Sequence, residues 1–251
     1  MIDVEFPPMS TAQTQSWLTL LELGRRFPSD WTVVGGQLVF LHCQERGAAP
    51  ARPTDDGDAA LDVRARPSIL HEFTSALEAM GFVADLPSGL GVQYRWRRDQ
   101  AVIDVLIPRF LGDRAATRPG AGGAPTLAAP GAQGALDRSE LVNAIVDGER
   151  GTVPRPTLVG AIAAKAAALE IADDPSWRRH VQDLTVLSTI IRRADDFTVY
   201  STRDIQRVRN AIGRTVLDRS IVSSIDGADE GLSRLRLALA VEERRRGIAS
   251  S

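Results

Sequence analysis

Arg52-Pro53-Thr54-Asp55-Asp56-Gly57-Asp58 runs directly into Ala59-Ala60-Leu61, so two acids one residue apart stand at the head of an apolar segment. On an extended strand side chains alternate between faces, so Asp56 and Asp58 project to the same side and can share divalent cations. The strand is expected from Asp58 to Val63. Asp55 has the opposite parity and Asp62 lies beyond reach, and both are read as structural.

Working outward, Trp31-Thr32-Val33-Val34 is short, β-branched and apolar, and Gly35-Gly36 then opens a helix-compatible stretch from Gln37 to Glu45. At such a strand–glycine–helix junction the missing Cβ atoms let backbone N–H groups approach phosphates, helped by the helix dipole. Downstream, Val102-Ile103-Asp104-Val105-Leu106 lies within a nearly all-apolar strand expected over Ala101–Ile107. An interior strand does not usually carry a lone carboxylate. If it neighbours the strand of Asp56 and Asp58, Asp104 adds a third acid to one face, an arrangement suited to two-metal phosphoryl transfer.

The remaining pattern is mixed. Helices are expected at Thr11 to Phe27 and Pro67 to Met80, and strands at Phe82 to Leu86 and Val92 to Arg97. Arg109 to Gly134 is rich in Gly, Ala and Pro and reads as a long flexible loop. From Thr157 the rhythm is helical through Leu158, Ile162, Lys165 and Leu169. After Asp173-Asp174-Pro175 it resumes at Trp177, Val181, Leu184, Leu187 and Ile191. Helices over Thr202–Leu217 and Asp229–Arg246 follow. The expected class is α+β, a mixed sheet flanked by helices over 1–153 and a C-terminal α-helical bundle over 154–251.

The net charge of -2 excludes a uniformly basic nucleic-acid binder. From Ser176 onward, however, 14 arginines face 10 acids, and Arg203, Arg207 and Arg214 share a helix face that could track a phosphate backbone. An exposed solubilising face is the alternative. The single cysteine, Cys43, rules out an intrachain disulfide and reads as a buried inert thiol. His42, His71 and His180 have no partner at ligand spacing. There is no basic-then-apolar leader and no run of about 18 apolar residues, so a cytoplasmic protein without a membrane span is expected. Lys165 is the only lysine among 30 basic residues, which suggests that this position requires an ammonium.

Together, Val34-Gly35-Gly36, then Arg52-Pro53-Thr54-Asp55-Asp56-Gly57-Asp58, then Ile103-Asp104-Val105 resemble the AbiEii/MenT-type nucleotidyltransferase toxins of the DNA polymerase β superfamily. Val153-Pro154 leading to Lys165-Ala166-Ala167-Ala168 and then Asp183-Leu184 is similar to the same family. The resemblance spans residues 30 to 190. It implies a minimal nucleotidyltransferase fold, with Asp56, Asp58 and Asp104 holding Mg²⁺ or Mn²⁺ and Gly35 and Gly36 facing the NTP triphosphate. It also implies that Lys165 contacts phosphate and that Arg52 and Thr54 support the metal loop. Gln37 and Asp183 fall at nucleotide-site positions, although relatives usually carry a serine, threonine or small residue where Gln37 stands. Asp183 can also be read as pairing with Arg179 four residues earlier.

The implied activity is transfer of NMP from an NTP to a hydroxyl, with the 3′ end of an RNA such as tRNA as acceptor. The family further implies a growth-arresting toxin with a separately encoded antitoxin. A small-molecule, antibiotic-type nucleotidyltransferase and a catalytically inactive nucleotide-binding module remain as alternatives. A metal-dependent glycosyltransferase accounts for Asp56-Gly57-Asp58 alone, not for the glycine pair or Asp104.

Overall fold

Ser10, whose hydroxyl accepts from the Gln13 amide, starts the first long helix of the computed structural model, which describes residues 3–171 and 174–247. In chain order the elements are β1 (Asp3–Glu5), α1 (Thr11–Arg26), β2 (Trp31–Val34), α2 (Gly35–Arg46), β3 (Asp56–Leu61), α3 (Ile69–Ala79), β4 (Val83–Ala84), β5 (Arg95–Arg98) and β6 (Ala101–Pro108). Next come α4 (Asp113–Ala116), β7 (Leu127–Ala129), α5 (Ala132–Leu136), β8 (Ser139–Val146) and β9 (Glu149–Pro156). The helical C-terminal region comprises α6 (Leu158–Ala168), α7 (Trp177–Thr189), α8 (Thr202–Leu217), α9 (Arg219–Val222) and α10 (Ala228–Arg246). Asp173, part of the break expected ahead of α7, lies outside the described residues.

The larger sheet runs β2-β3-β6-β5-β4, with β7 joining β6. It is mixed: β3 and β6 pair in parallel at its centre, while β2 and β5 flank them antiparallel. One face packs on α1, where Leu20 meets Gly57 and Ile103. Such close approach favours glycine at 57, because a Cβ there would stand 3.0 Å from the Ile103 side chain and 3.2 Å from that of Leu20. The opposite face carries Asp56, Asp58 and Asp104 at its open end. Beyond them Val34, Ala60, Ala132 and Ala135 form a small apolar cluster, with Leu106, Ala129 and Ala164 against it.

Two expectations require correction. The segment 109–134 is not a structureless loop: it holds α4 and β7 and leads into α5, with Leu127 to Ala129 in register with Leu106 to Pro108. At its end it passes close to α6, where a Cβ on Gly131 (φ +77°) would meet that of Ala167 at 2.8 Å. The second correction is a separate three-stranded sheet, β1-β8-β9. Its hairpin turns on Asp147-Gly148, both at positive φ, the two-residue geometry that matches strand twist. The division expected between 153 and 154 falls inside β9, and the main hydrophobic core continues from Val4 in β1 to Leu239 in α10.

Where β9 meets α2, His42 is fully buried; its Nε2–H donates to the Pro156 carbonyl at 3.0 Å and its Nδ1 accepts from Arg155 at 3.3 Å. Burial, aided by the Arg155 charge, pushes His42 down to about 4. Folding therefore favours the neutral ring, whereas the unfolded ring takes up a proton near 6.5. Stability should fall as pH drops from about 6.5 and level off below about 4, by on the order of 3 kcal/mol. Urea midpoints of the protein and of His42→Gln, compared at pH 7 and pH 4, isolate this contribution. Parallel losses in the two would remove His42 as its source.

In the C-terminal region, α8 spans the expected residues, closed by a reciprocal Ser201–Asp204 capping box. The arginine face proposed for α8 is largely occupied. Arg207 pairs with Glu170 at 2.9 Å, and Arg214 bonds the Leu169 carbonyl and lies over Trp177. Burial against α6 and α7 has turned these cations inward. Among the described residues no helix is long and apolar enough to cross a membrane.

Candidate active site

Strand register assembles the acids. Asp58 is the Cα partner of Asp104 across the parallel β3–β6 pair, and paired residues project to the same face. Asp56, two positions earlier, shares that face. Asp55 accepts from the Ser10 hydroxyl at 2.5 Å, and Asp62 accepts from the Arg64 and Ala65 amides.

The glycine pair closes on these acids. Val34 is the antiparallel partner of Asp58, so the chain leaves β2 beside the Asp58 carboxyl. Gly35 has φ +66°, and a Cβ there would lie 1.8 Å from Asp58 Oδ2; one on Gly36 would lie 2.3 Å from Thr54 Oγ1. Thr54 in turn donates to Asp56 Oδ1 at 3.2 Å. Gly35→Ala should therefore displace Asp58, costing roughly 1–3 kcal/mol and on the order of 100-fold in any activity that needs this carboxylate. Gly47→Ala is the control, because Gly47 also has positive φ (+69°) yet its Cβ would meet nothing within 4 Å. It should cost stability alone. Equal activity losses in the two variants, read beside their urea midpoints, would show that crowding of Asp58 is not the cause.

Lys165 and Asp183 come together from α6 and α7. Lys165 Nζ donates to Asp183 Oδ2 at 2.7 Å, and Arg52 adds Nε and Nη2 contacts to both Asp183 oxygens at 3.1 Å. Burial acts to raise the Asp183 carboxyl, but Lys165 and Arg52 outweigh it and hold the group below the ordinary carboxylate range. The alternative pairing with Arg179 does not occur; Arg179 is exposed, and Asp183 faces inward. The three residues tie the segment ahead of β3 to the helical region. They also put the ammonium on a cavity of about 180 Å³ whose wall includes Gly35, Asp58, Ala132, Ala164 and Lys165.

Gln37 is a correction. It is fully buried and points away from this cavity: its Oε1 accepts from Trp17 Nε1 at 2.6 Å and Gln13 Nε2 at 3.2 Å, and its Nε2 donates to the Thr54 carbonyl at 2.9 Å. Fully buried and held by these three bonds, it braces the loop carrying Thr54 and does not line the cavity.

The residue that sequence reading missed is Arg95. It is the antiparallel partner of Asp104. Its Nε and Nη2 bind both Asp104 oxygens at 2.8 and 2.6 Å, and Nη2 also reaches Asp56 Oδ2 at 3.3 Å. The alternation of β5 gives the only hint, since it puts Arg95 and Arg97 on one face.

Asp58 has no hydrogen-bond donor among the described residues. Desolvation, with Asp104 and Asp56 adding their charge, pushes its carboxyl up to about 8. Burial also raises Asp104, opposed by Arg95. Crowded all-oxygen ligands suit a hard divalent cation. Among the described residues, no three His, Cys, Asp or Glu side chains are set to hold a metal as they stand. Arg95 bridges two of these acids instead.

Comparison with solved structures returns partial likenesses. A crystal structure of an antigenic nucleotidyltransferase-like protein from Paracoccidioides brasiliensis shares 14% identity, over 90% of this chain and 95% of that one, at a TM-score of 0.49. ANT(2″)-Ia in complex with adenylyl-2″-tobramycin shares 13% identity, over 81% and 99%, at 0.46. A solution structure of the antibiotic-resistance factor ANT(2″)-Ia shares 12%, over 96% and 100%, at 0.36. No protein-family model and no curated protein matches the sequence.

Proposed function

We propose that this chain is a nucleotidyltransferase that moves NMP from an NTP to a hydroxyl, with Asp56, Asp58 and Asp104 as ligands for Mg²⁺ or Mn²⁺. The observation that carries this reading is the register pairing of Asp58 with Asp104, directly beside a glycine that leaves room for nothing but the Asp58 carboxyl. Divalent cations bound there would supply the positive charge that activates an attacking hydroxyl and stabilises departing pyrophosphate.

The chain's own residues do the rest. Gly35 and Gly36 open the N-terminus of α2, so that its amides and dipole face the triphosphate. Lys165 offers a compact charge on the same cavity, held in place by Asp183. Thr54 orients Asp56, Gln37 fixes Thr54, and Arg52 anchors the start of that loop to Asp183.

The 3′ end of an RNA such as tRNA is the acceptor that the sequence resemblance favours, with a growth-arresting role and a separately encoded antitoxin as its biological extension. The deciding experiment incubates the protein and Mg²⁺ with each α-labelled NTP and, separately, total tRNA or aminoglycosides. Label in tRNA supports the proposal in full. Label in an aminoglycoside keeps the chemistry and replaces the acceptor, and Mg²⁺-dependent NTP binding without transfer to any acceptor would leave only a binding module.

A further inference from the structure

Arg95 occupies a position for which the proposed chemistry has no use. Its guanidinium engages both oxygens of Asp104 and one of Asp56, while the carboxyl of Asp58, the third acid, receives no donor among the described residues. The nearby cations Lys165 and Arg52 are already committed to Asp183. Four carboxylates thus face three fixed positive charges, and the one bridging two proposed metal ligands is itself a side chain.

We propose that Arg95 is a stand-in for the divalent cation: it holds Asp104 and Asp56 in place while the metal is absent and must release them for the metal to bind. This inference rests on the metal-site reading above. A forked guanidinium satisfies two carboxylates at once, as a shared cation does, and keeps like charges from driving the strands' acids apart. The side chain also has somewhere to go. It is about one-third exposed, at 31%, and borders a cavity of about 150 Å³ lined by Asp85, Ser88, Val92, Tyr94 and Arg97. Released from Asp104, it becomes a mobile cation beside the place where an anionic triphosphate arrives.

The consequence is competition. Each ligand–Arg95 contact must be surrendered before metal binds, so the apparent metal affinity without nucleotide is lowered by the fraction of time the acids are free. Removing the guanidinium should tighten metal binding, the opposite of what loss of a structural support would do.

The test is Mn²⁺ titration without nucleotide, by calorimetry and by Mn²⁺ electron spin resonance, on the protein, Arg95→Ala and Arg95→Lys. Arg95→Ala should bind Mn²⁺ at least about tenfold more tightly, with Arg95→Lys in between because it keeps the charge and loses the fork. Should Arg95→Ala fail to fold, the Arg95 Nε–H resonance of the unmodified protein gives a second readout, since it should shift and lose protection on addition of diamagnetic Mg²⁺. Unchanged or weaker Mn²⁺ binding in a folded Arg95→Ala, or an Nε–H signal indifferent to Mg²⁺ while the protein binds it, overturns the stand-in role and leaves the metal site intact. No Mn²⁺ binding in any of the three proteins overturns both.

Discussion

Asp58→Asn should lower nucleotidyl transfer by at least about a thousandfold while leaving the protein as stable as before, or more so. The two halves of that expectation have one cause. Asp58 is paired with Asp104 across the strands and stands two residues from Asp56, beside Gly35, without a hydrogen-bond donor to its carboxyl among the described residues, and that carboxyl is pushed up to about 8 by desolvation and its acidic neighbours. A folded-state value above the ordinary carboxyl one means that folding favours the protonated form. The contribution is present at acid pH and is lost as pH rises toward 8. Asparagine removes a charge that the fold resists and with it the charge that would hold a cation. Initial rates and urea midpoints at pH 8 measure both effects. Near-normal transfer would end the metal-site proposal, and a sharply lower midpoint would show that Asp58 has a structural partner.

Lys165→Met should cost both transfer and stability. Lys165 and Asp183 are 5% and 2% exposed and 2.7 Å apart, so removing the ammonium leaves a buried carboxylate with Arg52 as its remaining cation. Breaking a buried pair from one side costs about 3 kcal/mol. Lys165→Arg should not restore function, since the small side chains around it leave a cavity of only about 180 Å³ for a longer planar group and a phosphate together. The informative variant is Lys165→Met with Asp183→Asn. With the uncompensated charge gone, the urea midpoint should recover most of its loss, yet transfer should stay low because the phosphate-facing charge is still missing. Recovery of both would reduce Lys165 to a structural ion pair.

Much of the helical pattern was legible from apolar spacing. Helix α1 ends within a residue of where periodicity and the following Pro28 place it, and α8 covers the span its periodicity predicts. The hairpin of β8 and β9 was not anticipated, although Asp147-Gly148 is a two-residue turn signal. Low side-chain volume in 109–134 suggested a loose loop, whereas Leu127 to Ala129 pair with β6 and Gly131 is held against Ala164 and Ala167 of α6. Gln37 was misplaced for a related reason: position after a glycine pair suggests a ligand, but it carries no record of Trp17 and Gln13 waiting in α1 to bind its amide.

That Asp56 and Asp58 share a face followed from the alternation of an extended chain, a property of neighbouring residues alone. Likewise the glycine pair announced a turn, and a solitary lysine an unusual demand. Which strand lies beside which, and in what register, depends on contacts between segments distant in the chain. Only the folded molecule could therefore set Asp104 opposite Asp58, lay Arg95 across two of the three acids and bring Arg52 and Lys165 onto one buried aspartate.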